Sequence, residues 1–247
     1  MTVRIKVVNP NTSAAMTRGI HGAALAVAAP GTTIESTSPA MGPASIESHY
    51  DEALSVPGVL AEVAEGERSG VDGYVLACFG DPGLDAAREL AAGPVVGIAE
   101  AAMRTATYLG RTFTVVTTLA RTRGRAWDLV ERYGVTKFCA GVHDVDIPVL
   151  ELDQDPDTLE KLTEACASAL ARDGADAVVL GCAGMADLCA DLTKALGAPV
   201  VDGVRAATLQ VQSLVAMALT TNKHGEYAAP LPKAYSGLLH PFTTSPG

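Results

Sequence analysis

Short runs rich in Val and Ile alternate along the chain with Ala-rich stretches whose apolar residues recur at helical spacing. That alternation is the pattern of a parallel sheet covered by helices, in which buried strands read as continuous apolar runs. Strands are predicted over 4–8, 71–77, 112–117 and 175–181. Helices are predicted over 13–28, 57–69, 85–92, 121–133, 157–173, 185–196 and 204–220. Residues 1–8 alternate charge with β-branched side chains and read as a first strand, not as a basic leader followed by an apolar stretch. The chain after 220 turns polar and rich in Pro and Gly, and is expected to wrap over the surface.

The pattern also repeats. Gly70-Val-Asp-Gly-Tyr-Val-Leu-Ala-Cys78-Phe-Gly80 lies in register with Gly174-Ala-Asp-Ala-Val-Val-Leu-Gly-Cys182-Ala-Gly184, sharing Gly, Asp, Val, Leu, Cys and Gly without a gap. Further on, Gly93-Pro94-Val95-Val96 answers Ala198-Pro199-Val200-Val201, and Ala101-Ala102 answers Ala206-Ala207. Upstream, Val7-Val8-Asn9 answers Val115-Val116-Thr117. Common αβ sequence would produce the apolar matches by itself, but not a cysteine in register followed by a returning Pro-Val-Val. The expected architecture is therefore α/β with two pseudo-symmetric halves, each a mainly parallel sheet flanked by helices, and a crevice between them. The first half is placed at 1–104 and the second at 105–205. Residues 206–247 form a last helix and tail packing on the first half.

Composition narrows the function classes. The 247 residues carry 18 Lys and Arg against 28 Asp and Glu, a net charge of −10 without long blocks of one sign. Such a surface opposes nucleic acid and anionic membranes. The most apolar runs, 23–30 and 214–219, are far shorter than the ~18 residues that span a bilayer. A cytoplasmic chain acting on a small molecule is expected. The five cysteines, Cys78, Cys139, Cys166, Cys182 and Cys189, contain no CxxC pair, so neither a disulfide framework nor a structural zinc site follows.

Cys78 and Cys182 each follow an apolar strand, which puts each at the carboxyl edge of a parallel sheet, where ligands bind in α/β folds. Each is expected to lead into a helix start whose N–H groups hold a substrate oxygen and lower the thiol pKa. Across a pseudo-twofold axis the two thiols would face one another with a substrate carbon between them. Inverting a carbon that bears an acidic hydrogen takes a base on one face and an acid on the other, and a thiolate and a thiol exchange those roles when the reaction reverses. A free cysteine is more often a small buried hydrophobe, and the symmetry of this pair is what argues otherwise. Cys139, Cys166 and Cys189 have no such symmetry.

These residues carry a resemblance. Asn9-Pro10-Asn11-Thr12-Ser13, Gly42-Pro-Ala-Ser45-Ile-Glu47 with Tyr50-Asp51, Cys78-Phe79-Gly80-Asp81-Pro82-Gly83 and Gly181-Cys182-Ala183-Gly184-Met185 resemble the hydantoin racemase branch of the aspartate/glutamate racemase superfamily over nearly the whole chain. The resemblance implies a cofactor-independent, cytoplasmic, homo-oligomeric racemase with Cys78 and Cys182 as its acid/base pair. Arylmalonate decarboxylases of the superfamily keep only the second cysteine, and maleate isomerases use the first as a nucleophile. Amino-acid racemases typically follow the first cysteine with Asn-Thr, where this chain has Phe79-Gly80, which favours a cyclic ureide. The choice between allantoin and 5-substituted hydantoins stays open.

Substrate contacts are expected from Asn9, Asn11, Phe79, Gly80, Thr117, Thr118, Ala183, Gly184 and Ser45. Asn and Thr at these places also serve as helix caps. Thr12 is weighed between contacting the ring and capping the next helix, and Ser45, Glu47 and Tyr50 between closing the pocket and local turn or cap roles. His21, His49, His143, His224 and His240 show no metal-ligand spacing, so no metal is expected. No GxGxxG, P-loop or GxSxG sequence is present. Neither cysteine motif carries Lys or Arg, which favours a neutral ring over an amino-acid zwitterion. A non-catalytic binding protein on the same scaffold is the rival reading, since fold alone does not reject it.

Overall fold

The computed structural model describes residues 3–243; Met1, Thr2 and the last four residues of the expected tail lie outside the described residues. Two four-stranded parallel sheets are present. The first has the order β2-β1-β3-β4, from β1 (Val3–Val8), β2 (Thr32–Thr37), β3 (Gly73–Leu76) and β4 (Val95–Gly97). The second has the order β6-β5-β7-β8, from β5 (Phe113–Thr117), β6 (Cys139–Asp144), β7 (Ala177–Leu180) and β8 (Val200–Val201). The sequence repeat is thus a structural one. Ala77 donates its N–H to the Val8 carbonyl at 2.8 Å, and Gly181 donates to the Val116 carbonyl at 2.8 Å, so the same bond closes the central strand pair of each half.

The edge strands β2, β4, β6 and β8 were not among the predicted strands. They are short or polar, and pairing with a neighbour defines them more than their own composition does. In β1 the alternation of charge does not place Lys6 in solvent. It is 1% exposed and ion-paired with Glu62 at 2.9 Å.

Among the described residues eight α-helices accompany the strands: α1 (Ala14–Leu25), α2 (His49–Ser69), α3 (Leu84–Leu90), α4 (Ile98–Ala106), α5 (Arg123–Arg132), α6 (Thr158–Asp173), α7 (Cys189–Leu196) and α8 (Gly203–Ala216). Ser13 caps α1 by accepting from the Met16 N–H, and Asp202 caps α8 by accepting from Val204 and Arg205. Helix α2 starts eight residues before the proline that was expected to open it. Ser48 supplies the cap by accepting from the Asp51 N–H, and Pro57 lies inside the helix. A six-residue stretch of 3₁₀ backbone, Ala183–Leu188, stands where the predicted helix from 185 would begin, and α7 follows it.

The last helix of each half crosses over. Helix α4 follows β4 but packs against β7 and β8, whereas α8 follows β8 and packs against β1, β3 and β4. The two helices also pack on each other, so the core is continuous from one half to the other. After α8 the chain runs along α2 and α3, and Tyr227 donates its hydroxyl to Asp85 at 3.1 Å.

Candidate active site

Cys78 stands two residues beyond β3 and Cys182 two residues beyond β7, each at the carboxyl edge of its sheet. Both thiols line one cavity together with Asn11, Phe79, Thr117, Thr118 and Ala183. The free space is about 30 Å³, room for a water or two. Its rim joins the halves: the Val149 N–H donates to Glu47 at 2.7 Å, and Arg125 on α5 pairs with Glu52 on α2 at 2.8 Å.

The loops after the cysteines differ. Cys182 passes straight into the 183–188 turn, whose Met185 N–H bonds the Cys182 carbonyl at 3.2 Å. Cys78 instead enters a tight turn through Phe79, Gly80 and Asp81, with the Asp81 N–H on the Cys78 carbonyl at 3.0 Å, and α3 starts only at Leu84. The helix after Cys78 thus begins six residues on, within one residue of its predicted start at 85. The expected lowering of the thiol pKa values, by contrast, is overturned. Enclosure by protein pushes Cys78 up to about 12 and Cys182 up to about 11, because a thiolate there has lost its water. Burial outweighs the Arg125 charge that favours the Cys78 thiolate and the Gly184 N–H that bonds the Cys182 sulfur.

Asn11 is held by its neighbours. Its Oδ1 accepts from the Ser13 N–H at 2.9 Å and from Asn9 Nδ2 at 2.8 Å, leaving Nδ2 directed at the Met16 sulfur at 3.1 Å. Thr117 Oγ1 shares a 2.9 Å hydrogen bond with Thr122 Oγ1. Among the described residues no group of three His, Cys, Asp or Glu side chains is arranged to hold a metal ion.

Residues 5–211 match the model of the family described as Asp/Glu/Hydantoin racemase. A protein named hydantoin racemase from Rhizobium meliloti is 48% identical to this chain, with 95% of this chain and 98% of that protein covered. The chain belongs to the Asp/Glu/Hydantoin racemase family. It is a racemase and so an isomerase. Among solved structures, allantoin racemase from Klebsiella pneumoniae is 52% identical with a TM-score of 0.95, covering 98% of this chain and 99% of its own. Allantoin racemase from Pseudomonas fluorescens is 39% identical with a TM-score of 0.91, covering 95% and 100%.

Of the residues singled out for this racemase from its sequence, seven line the cavity: Cys78, Cys182, Asn11, Phe79, Thr117, Thr118 and Ala183. Gly80 and Gly184 lie behind the lining in the cysteine turns. Asn9 is buried and orients Asn11. Ser45 stays outside the cavity, and its neighbour Ile46 enters it. Glu47 closes the rim, while Tyr50 is 73% exposed on the first turn of α2. Met16, Ile46, Thr122, Arg125 and Val149 line the cavity without having been singled out. The absence of Lys and Arg from the cysteine motifs therefore does not mean a site without a cation. Arg125 reaches it from α5, with its charge matched by Glu52. The signal that could have found it was the repeat itself, which sets α5 against α1.

Proposed function

We propose that this racemase interconverts the D and L enantiomers of 5-monosubstituted hydantoins by moving the C5 proton between Cys78 and Cys182. The observation that carries this reading is that two symmetry-related cysteines, one from each sheet edge, line a single cavity. One thiolate removes the C5 hydrogen, and the electron pair passes to the C4 oxygen as an enolate. The other cysteine, as thiol, then delivers a proton to the opposite face, leaving the pair with its charges exchanged. N–H groups of the cysteine turns at Phe79, Gly80 and Ala183 hold the enolate oxygen. Asn11, Thr117 and Thr118 supply hydrogen bonds to the ring, which has no net charge to neutralise.

In this reading no cofactor takes part, because the ring carbonyl delocalises the carbanion. The enzyme works in the cytoplasm as a homo-oligomer, its halves divided at 1–104 and 105–205, with 206–247 laid on the first. The free space is too small for a substituted ring, so substrate enters when the rim parts between Glu47 and Val149. The solved relatives named for allantoin favour a second reading, in which the C5 substituent is a ureido group.

The test is solvent deuterium incorporation at C5 of single-enantiomer benzylhydantoin and allantoin, followed alongside optical rotation. Exchange together with loss of rotation is the expected result. Binding without exchange would identify a non-catalytic protein on this scaffold.

A further inference from the structure

The two halves share their strand order, and at one equivalent pair of glycines they meet different neighbours. Gly80 and Gly184 are equivalent, each two residues after its cysteine, and each is approached by the first helix of the opposite half. A Cβ at Gly80 would lie 3.5 Å from the Arg125 Cζ and Nε on α5. A Cβ at Gly184 would instead meet Leu152 Cδ1 at 3.2 Å and the Met16 Cε on α1 at 3.6 Å. The guanidinium thus lies over the Cys78 turn, and a thioether occupies the corresponding place over the Cys182 turn. The spaces beyond differ in the same sense. On the Arg125 side a cavity of about 140 Å³ runs out past Arg121 and His49. On the Met16 side one of about 250 Å³ runs past Asp153 and Asp187.

We propose that Arg125 is a positioning residue that acts through Cys78, holding that thiolate by charge, while Cys182 relies on the Gly184 N–H alone. The inference rests on the reading of the two cysteines as an acid/base pair. The charged and titratable groups that act on Cys78 are Arg125, Cys182, Asp81 and Glu52, and Arg125 has the largest effect among them. Those that act on Cys182 are Asp153 and Glu47, both of which oppose a thiolate. Glu52 serves a second purpose: its 2.8 Å pair with Arg125, a side chain only 11% exposed, fixes the guanidinium over the turn and moderates its charge. In a site this dry, a cation at close range acts far more strongly than at the surface. The enzyme therefore ionises its two chemically identical bases by different devices.

Alkylation by iodoacetamide tests this without any substrate, so its outcome is separate from that of the racemisation assay. The rate at each cysteine is read by peptide mass spectrometry at pH 8.5, with Cys182 as the internal control. Arg125→Gln is expected to slow Cys78 about tenfold relative to Cys182, the change for one pKa unit, while Arg125→Lys stays within about threefold of the parent. Glu52→Gln is expected to speed Cys78 and leave Cys182 unchanged. A purely structural role for Arg125 would loosen the site and speed both thiols together, which would overturn the proposal, as would an unchanged ratio in Arg125→Gln. If Arg125→Gln does not fold, Glu52→Gln decides, and an unchanged ratio there overturns it.

Discussion

Tyr133, the residue that ends α5 in the second half, donates its hydroxyl at 2.5 Å to the carboxylate of Asp81, three residues after Cys78 in the first half. The same carboxylate accepts from the N–H groups of Ala99 and Glu100 and so caps α4 from a distance of eighteen residues. Burial pushes Asp81 up to about 6, against the hydrogen bonds that favour its charge. Because the folded-state value is raised, the folded protein binds the extra proton first as the pH falls. The destabilisation from burying this charge is full above about pH 6 and gone below about pH 4. Stability on this account falls by on the order of 2–3 kcal/mol as pH rises through that window. Asp81→Asn should flatten the dependence between pH 4 and 6 in urea unfolding. An unaltered profile would remove Asp81 as its source.

Gly97 faces the same carboxylate. A Cβ there would stand 2.1 Å from Asp81 Cγ, so Gly97→Ala must displace the cap or the turn that carries Cys78. We expect a loss of about 1–3 kcal/mol in stability, seen as a drop of several degrees in Tm, together with reduced activity. A thermal melt indistinguishable from the parent would contradict this packing.

Removing either thiol from the cavity should stop racemisation without unfolding the chain. Cys78→Ala and Cys182→Ala are each expected to lose at least ~1000-fold in activity, near the upper end of what one acid/base group contributes. Each variant should keep one base, and so exchange the C5 hydrogen of one enantiomer only. Polarimetry with either purified variant near the parent rate would refute the two-base reading.

Both thiols lie well above their ordinary range, at about 12 and about 11, so the thiolate needed to start the reaction is scarce at neutral pH. Below those values the ionised fraction grows about tenfold per pH unit, and kcat/KM should climb with a slope near one from pH 6 to 9. Rates corrected for the uncatalysed reaction in buffer check this. A plateau beginning below pH 8 would mean that a group other than the buried thiols limits the reaction.

Among the described residues the one cation of the cavity lining, Arg125, is already paired with Glu52. A zwitterionic amino acid would have to break that pair or bury its carboxylate unmatched, a cost a neutral ring avoids. Benzylhydantoin should therefore exceed aspartate by at least ~100-fold in kcat/KM, about 2.7 kcal/mol of transition-state discrimination. Equal rates in side-by-side assays would reject the argument.

What the sequence disclosed was what local pattern and repetition encode. The apolar runs ending at Leu76 and Leu180 located the central strands, and the repeat put both cysteines at equivalent sheet edges. What it hid came from far along the chain. Helix α4 was not predicted, because its cap is Asp81 and not a residue beside Ile98; its counterpart α8, capped by the adjacent Asp202, was predicted. Arg125 was hidden for the same reason, since it sits 47 residues from Cys78 and meets it only when α5 packs over the first half.

The crossing of α4 and α8 bears on how such a molecule can vary. Neither half is self-contained, because each sheet is covered by a helix that the other half supplies. A chain of half this length with the same topology would need a second copy of itself to cover its sheet. Two identical copies would have to set the same side chain over both cysteine turns. A single chain holding both halves is free of that constraint, and here it sets arginine over one turn and methionine over the other.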